Sequence, residues 1–158
     1  VLGNCLNRTL KMISRYRAGV LPACGSLEDV DRRLVEGTRR LRQELAGAYE
    51  QCALQQCALL PLELARATNG YIDATAPFSL AKDAGRASRL DTVLNVACQA
   101  VYRALAGLLP ILPHKAAEGL AQLGVEGGGR LLGDLLERDL PSGQKVEEGR
   151  PLFPRGDG

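Results

Sequence analysis

The chain has no tryptophan in its 158 residues and an aromatic fraction of 4%. A core short of large rings is filled by Leu, Ala and Val, which favours packed helices over a β-sandwich. Histidine is nearly absent too, His114 being the single copy, and no Cys-x-x-Cys pair occurs. Cys5, Cys24, Cys52, Cys57 and Cys98 form an odd set, and the spacing of Cys52 and Cys57 turns their side chains away from a common ion on a helix. Zinc is therefore not expected, and the thiols read as small apolar filler or as free thiols in a reducing compartment. No apolar run approaches the roughly twenty residues of a membrane span, and no secretory signal pattern is present. The expectation is a cytoplasmic protein with no membrane partner and no metal. An excess of one charge is also missing: 20 basic against 18 acidic residues leave +2, too little for indiscriminate attraction to nucleic acid.

What is present is a hydrophobic fraction of 46%, enough for one domain with a real core, and an uneven distribution of charge. Residues 1–27 carry Arg8, Lys11, Arg15 and Arg17 and no acidic residue. Leu2, Cys5, Leu6, Leu10 and Ile13 recur at three- and four-residue spacing, which predicts an amphipathic helix ending near Gly19. Asn7, Lys11 and Ser14 follow the same periodicity on a polar face. A link rich in turn formers then leads to an N-cap expected at Ser26. The pattern predicts further helices over residues 28–49, from about 51 to 72 with a bend at Pro61, over 78–84, over 88–109 and over 114–123. The fifth of these six carries the widest apolar stripe: Leu90, Val93, Leu94, Ala97, Val101, Leu105 and Leu108. Residues 1–125 are expected to form the helical domain. Residues 126–158 read as a glycine- and proline-rich extended tail, with a helical piece expected at 131–138.

Periodicity and composition lead to an all-α bundle with a basic first helix, and motifs carry the reading further. Residues 2–16, Leu-Gly-Asn-Cys-Leu-Asn-Arg-Thr-Leu-Lys-Met-Ile-Ser-Arg-Tyr, resemble the first helix of the anticodon-binding domain of bacterial-type methionyl-tRNA synthetases. Residues 69–82, Asn-Gly-Tyr-Ile-Asp-Ala-Thr-Ala-Pro-Phe-Ser-Leu-Ala-Lys, resemble that family's run of Asn, Tyr-Ile, Pro-Trp and Ala-Lys in order and spacing. Residues 89–94 (Arg-Leu-Asp-Thr-Val-Leu), 108–113 (Leu-Leu-Pro-Ile-Leu-Pro) and 151–155 (Pro-Leu-Phe-Pro-Arg) match later segments of the family. The bundle is shared with synthetases for isoleucine, valine, leucine and cysteine. The 69–82 segment and the Pro-Leu-Phe-Pro-Arg stretch are what favour methionine among them.

The resemblance implies the class I aminoacyl-tRNA synthetase anticodon-binding fold, with RNA-binding roles for Asn7, Lys11, Pro77 and Phe78. Single-stranded RNA is read by splaying bases onto aromatic rings and hydrogen-bonding their exposed edges. Phe78 stands where the family usually has Trp, stiffened by Pro77, and the pair corresponds to the Pro-Trp that stacks on the first anticodon base, a cytosine. The competing reading is that Phe78 plugs the core between two helices. Asn7 can donate to and accept from a cytosine. Lys11 stands where the family often has Arg, and brings a charge without the planar two-pronged fork. Arg8 and Arg15 are expected to meet phosphate or other helices, and Asn69 and Tyr71 to support Phe78 or simply to pack.

Other signals carry nothing. Lys11-Met-Ile-Ser-Arg15 only superficially matches the ATP-binding loop of this enzyme class, because it lies within a predicted helix. Arg155-Gly-Asp157 lacks an extracellular context, Gly127–Gly129 lacks a following Lys-Ser/Thr, and His114 lacks a catalytic partner. The opening Val1 reads as the start of an excised piece. The implied whole is a methionine-tRNA ligase that uses ATP with magnesium in an upstream catalytic domain of the same chain. This segment is expected to be non-catalytic and to need no cofactor, with initiator and elongator methionine tRNAs as partners and the Pro-Leu-Phe-Pro-Arg stretch folding back over the catalytic domain. The rival from another class is a helical interaction domain that binds no RNA, for which the modest net charge is the supporting feature.

Overall fold

The computed structural model describes residues 2–126 and 132–153. Its elements follow the order α1 (Leu2–Arg17), α2 (Asp29–Glu50), α3 (Leu54–Thr75), α4 (Pro77–Ala81), a 3-10 turn (Ala84–Arg86), α5 (Ala87–Leu108), α6 (Pro113–Gln122) and α7 (Leu132–Glu137). The fold is an all-α bundle, and none of its helices among the described residues is long and apolar enough to cross a membrane.

α5 is the axis of the bundle and packs against each of the seven other elements: α1, α2, α3, α4, α6, α7 and the 3-10 turn all touch it. Its composition explains this. Leu90, Val93, Leu94, Ala97, Val101, Leu105 and Leu108 are buried as their spacing predicts, but so are Val96, Ala100, Ala104 and Ala106 on the other faces. A helix apolar nearly all round is a central helix, and its small residues let neighbours approach from every side. Gly107 marks one such approach, since a Cβ there would lie 3.1 Å from both Leu45 of α2 and Pro61 of α3. Pro61 stays inside α3 with its ring buried at this junction.

Glycine content divides accordingly into two kinds of position. At Gly119 of α6 a Cβ would come within 2.6 Å of Leu105, itself fully buried and without room to swing out. Gly119→Val is expected to cost about 1–3 kcal/mol through overpacking. At Gly47 of α2 nothing lies within 4 Å of the added carbon, so Gly47→Ala should stabilise by up to about 1 kcal/mol through helix propensity alone. Urea unfolding of the two variants beside the parent measures both effects; equal behaviour of the two would contradict this account of α6.

Local chemistry moves several boundaries away from expectation. α2 is capped by Glu28 rather than Ser26: the Glu28 side chain accepts from the third helical N–H while Asp31 accepts from the Glu28 backbone N–H. That reciprocal box satisfies donors a lone Ser26 could not reach. α3 begins at Leu54, after a turn in which Cys52 takes a left-handed φ of 55°. The fourth helix stops at Ala81, and the chain reaches α5 through the 3-10 turn, whose Gly85 N–H is held by Asp83.

The largest difference concerns the segment read as an extended tail. Residues 132–153 lie on the bundle, with Leu135, Leu136, Leu140 and Leu152 buried. Side chains of α5 answer their backbone: Tyr102 donates to the Leu135 carbonyl at 2.6 Å and Arg103 to that of Leu136 at 2.8 Å, while Gln99 both donates to the Leu140 carbonyl and accepts from its N–H. Arg103 also pairs with Asp139 at 2.6 Å. Further along, Val20 and Lys145 form an antiparallel bridge, and Leu21 N–H donates to the Gln144 carbonyl. Loop residues can pack on the bundle here because backbone groups of Leu135, Leu136 and Leu140 find side-chain partners on α5. Gly127–Gly129 and Pro154–Asp157, with the end of the Pro-Leu-Phe-Pro-Arg motif and the Arg-Gly-Asp triplet, lie outside the described residues.

Candidate nucleic-acid interface

α1 forms because its apolar residues return every three or four positions, and its inner face is sealed: Leu2, Cys5, Leu6, Leu10 and Ile13 are all buried. Thr9 joins them by donating its hydroxyl to the Cys5 carbonyl at 2.9 Å, which satisfies a polar group inside the core. Burial pushes the Cys5 thiol up to about 12, so it stays protonated filler. The helix ends through Ala18 and Gly19, both at positive φ, with the Gly19 N–H donating to the Ile13 carbonyl.

The four basic residues of α1 separate into two pairs. Arg17 is held by Asp91 at 2.5 Å, and Arg8 donates to Asp73 at 2.7 Å and to Asn69 at 3.3 Å. Arg8 thus ties α1 to α3, and Asn69 supports that tie. Lys11 and Arg15 are exposed and have no acidic partner among the described residues; Arg15 lies 5.7 Å over the Tyr16 ring. Asn7, Lys11 and Arg15 follow one another at four-residue intervals, hence on one stripe of the helix. Asn7 is partly buried, and its Oδ1 is sealed from solvent with no hydrogen-bond partner.

Pro77 and Phe78 follow directly on the turn that joins α3 to α4. Ala76 closes α3 and opens α4 in one residue at φ 47°, ψ 63°, a left-handed conformation unusual for a residue with a Cβ and worse placed before proline. Such strain persists only where the surroundings hold it, and here Pro77 is buried as the first residue of α4. The outcome is that Phe78 points outward, 50% exposed, and the reading of Phe78 as a core plug is excluded. α4 packs against α1 and α5, so the ring stands on a short helix beside the one that carries Asn7 and Lys11. Phe153 is the other half-exposed ring, but it leans on α1 at Gly3 and lies 5.8 Å from Lys115.

Of the two roles expected for Tyr71, the structure displays packing. Its ring is buried and its hydroxyl donates to Asp31 Oδ1 of α2 at 2.6 Å. Arg89 of α5 donates to both oxygens of Asp31, at 2.5 and 3.0 Å, and approaches Glu28 at 3.2 Å. Asp31 is fully buried, which by itself pushes its carboxyl up. The hydrogen bonds from Arg89, Tyr71 and the Glu28 N–H, together with the Arg89 charge, outweigh burial and hold it below the usual range. Tyr71 is raised, first by burial and then by Asp31, and stays a donor. This three-helix lock is not among the sequence expectations, because its members are distant in sequence; the Glu28-x-x-Asp31 capping spacing is the local signal that could have drawn notice to Asp31.

No family model matches the chain. Among curated proteins it is 34% identical to a methionine–tRNA ligase of Deinococcus radiodurans, over 98% of this chain and 22% of that protein. It is 36% identical to the methionine–tRNA ligase of Lactiplantibacillus plantarum, over 99% of this chain and 23% of that protein. The chain therefore spans under a quarter of the length of these curated relatives. Among solved structures, the apo methionyl-tRNA synthetase of Mycobacterium tuberculosis superposes with a TM-score of 0.92 at 24% identity, covering 99% of this chain and 32% of that one. The same organism's enzyme bound to methionyl-adenylate superposes at 0.85. Over nearly its whole length, this chain corresponds to the C-terminal helical part of the methionyl-tRNA synthetase family.

Proposed function

We propose that this helical domain reads the CAU anticodon of methionine tRNAs, initiator and elongator, and so selects them for ATP-dependent aminoacylation by a catalytic domain upstream in the same chain. The observation that carries the reading is Phe78, a large apolar ring held out to solvent by a strained turn and a buried proline, beside a helix whose exposed Lys11 and Arg15 have no acidic partner among the described residues. A phenyl face turned to solvent offers the platform on which an unstacked base rests.

In this reading the first anticodon base, cytosine, stacks on Phe78. Asn7 hydrogen-bonds its exposed edge, and Lys11 neutralises phosphate or meets a single base acceptor. Arg15 extends the positive stripe along the RNA backbone, where the attraction is independent of sequence. ATP, magnesium and methionine are engaged by the catalytic domain, and this segment contributes selection without a reacting group.

Two anticodon stem-loops, one with CAU and one with UAU, test the proposal by fluorescence titration. The expected outcome is at least about tenfold tighter binding of CAU, the contribution of one good stack or base contact. Equal affinity for the two would remove the anticodon role, and binding to neither would favour a helical interaction domain.

A further inference from the structure

A strap formed by residues 145–153 crosses the face of α1 that carries Asn7. It is anchored on both sides of its contact. The Glu147 N–H donates to the Gln122 carbonyl at 2.8 Å and the Arg150 N–H to Gln122 Oε1 at 3.0 Å, while Leu152 is buried beyond them. Between these anchors stands Gly149, at φ +104°, a region that residues with side chains rarely adopt. A Cβ there would come 3.1 Å from Asn7 Oδ1 and 3.2 Å from Leu10 Cβ. Backbone without a side chain is what allows the strap to lie this close to the asparagine.

The contact has a chemical result. Asn7 Oδ1 is buried and unpartnered, whereas Nδ2 is not among the sealed, unpartnered atoms and Asn7 keeps part of its surface in solvent. An amide so placed has lost its acceptor to the strap and keeps its donor. We propose that Gly149 is a positioning residue for anticodon reading: it fixes the Asn7 amide as a donor only, directed at the acceptor atoms of a pyrimidine. Cytosine presents two adjacent acceptors, N3 and O2. Uracil presents N3–H in place of the first, and a donor meeting a donor is repelled. The strap thus sharpens discrimination of cytosine from uracil without touching RNA. The inference rests on the anticodon reading proposed above.

A double-mutant cycle in the full chain tests it, with the CAU and UAU stem-loops as probes and thermal unfolding as a control. Asn7→Ala, Gly149→Ala, both together, and Gln122→Leu, which loosens the strap at a distance from Asn7, are compared with the parent. Gly149→Ala is expected to lower the CAU-to-UAU affinity ratio about fivefold to tenfold, the scale of one hydrogen bond. Gln122→Leu should lower it in the same direction, and Gly149→Ala should add nothing once Asn7 is alanine. If Asn7→Ala leaves the ratio unchanged, the anticodon reading itself fails. If Asn7→Ala lowers it but both Gly149→Ala and Gln122→Leu leave it intact, positioning is overturned while the reading stands. Additive losses, or equal weakening toward both RNAs with a lower melting temperature, likewise overturn positioning. Should Gly149→Ala not fold, Gln122→Leu alone in the same cycle with Asn7→Ala decides the question.

Discussion

Phe78→Ala is expected to weaken binding of the CAU stem-loop by roughly tenfold to a hundredfold, because a base stacked on an aromatic ring is worth about 1–3 kcal/mol. The same substitution should leave the melting temperature nearly unchanged. Half of the ring is already in solvent, and α4 is held by Pro77 and by its packing on α1 and α5 rather than by Phe78. Phe78→Trp is expected to preserve or improve binding, since indole offers more overlap at the position where the family's resemblance places that residue. Titration of the three proteins with one RNA, together with their thermal unfolding, checks both halves. A variant that loses its fold along with its affinity would show that the ring supports structure, and a stable variant with full affinity would show that the base stacks elsewhere.

The largest effect on stability is expected at Asp31. Asp31→Asn removes the buried charge that faces Arg89 and leaves the nearly buried guanidinium with only the exposed Glu28 carboxylate beside it, a loss approaching the roughly 3–5 kcal/mol that breaking a buried pair costs. For a chain of this size that is a fall in melting temperature of roughly 10 °C. Three helices loosen together, because the carboxylate holds Tyr71 of α3 and Arg89 of α5 to α2. The pH dependence has a definite sign. The folded carboxyl lies below its ordinary 3.8, so its contribution is complete above that value and is lost as pH falls through the lower, folded one. Urea unfolding of parent and variant between pH 7 and pH 3 should therefore give a constant gap that narrows only below about pH 4. A gap that narrowed near neutrality, or none at all, would mean that another group controls the lock.

Those two residues illustrate how legibility divides along the chain. Phe78 was visible in sequence as a motif position, yet its orientation was not, because an aromatic after proline can serve a core or a surface equally well. The deciding residue is Ala76, whose left-handed backbone no propensity for alanine would foretell. Asp31 was invisible for the opposite reason. Its identity argued for solvent, and only the arrival of Arg89 and Tyr71 from helices distant in sequence made burial affordable. Arg8 and Lys11, alike as charges on one helix, were separated by whether an aspartate on a neighbouring helix reached them. Asn7 was legible as a base-reading residue by resemblance, whereas the strap against it was not, since nothing local announces that Gly149 will lie across α1.

The amino-acid sequence by itself determined the all-α class, the approximate extent of the long helices, the apolar faces of α1 and α5, and the segments that relate the chain to methionyl-tRNA synthetases. Those properties come from periodicity and local motifs, which are interactions among residues near one another in the chain. Tertiary structure alone decided which cations on α1 are neutralised, that Phe78 faces outward, that residues 132–153 pack on the bundle, and which end of the Asn7 amide is covered. Each of these depends on what a distant segment brings within hydrogen-bonding or van der Waals range, and on the backbone strain the assembled core can hold in place.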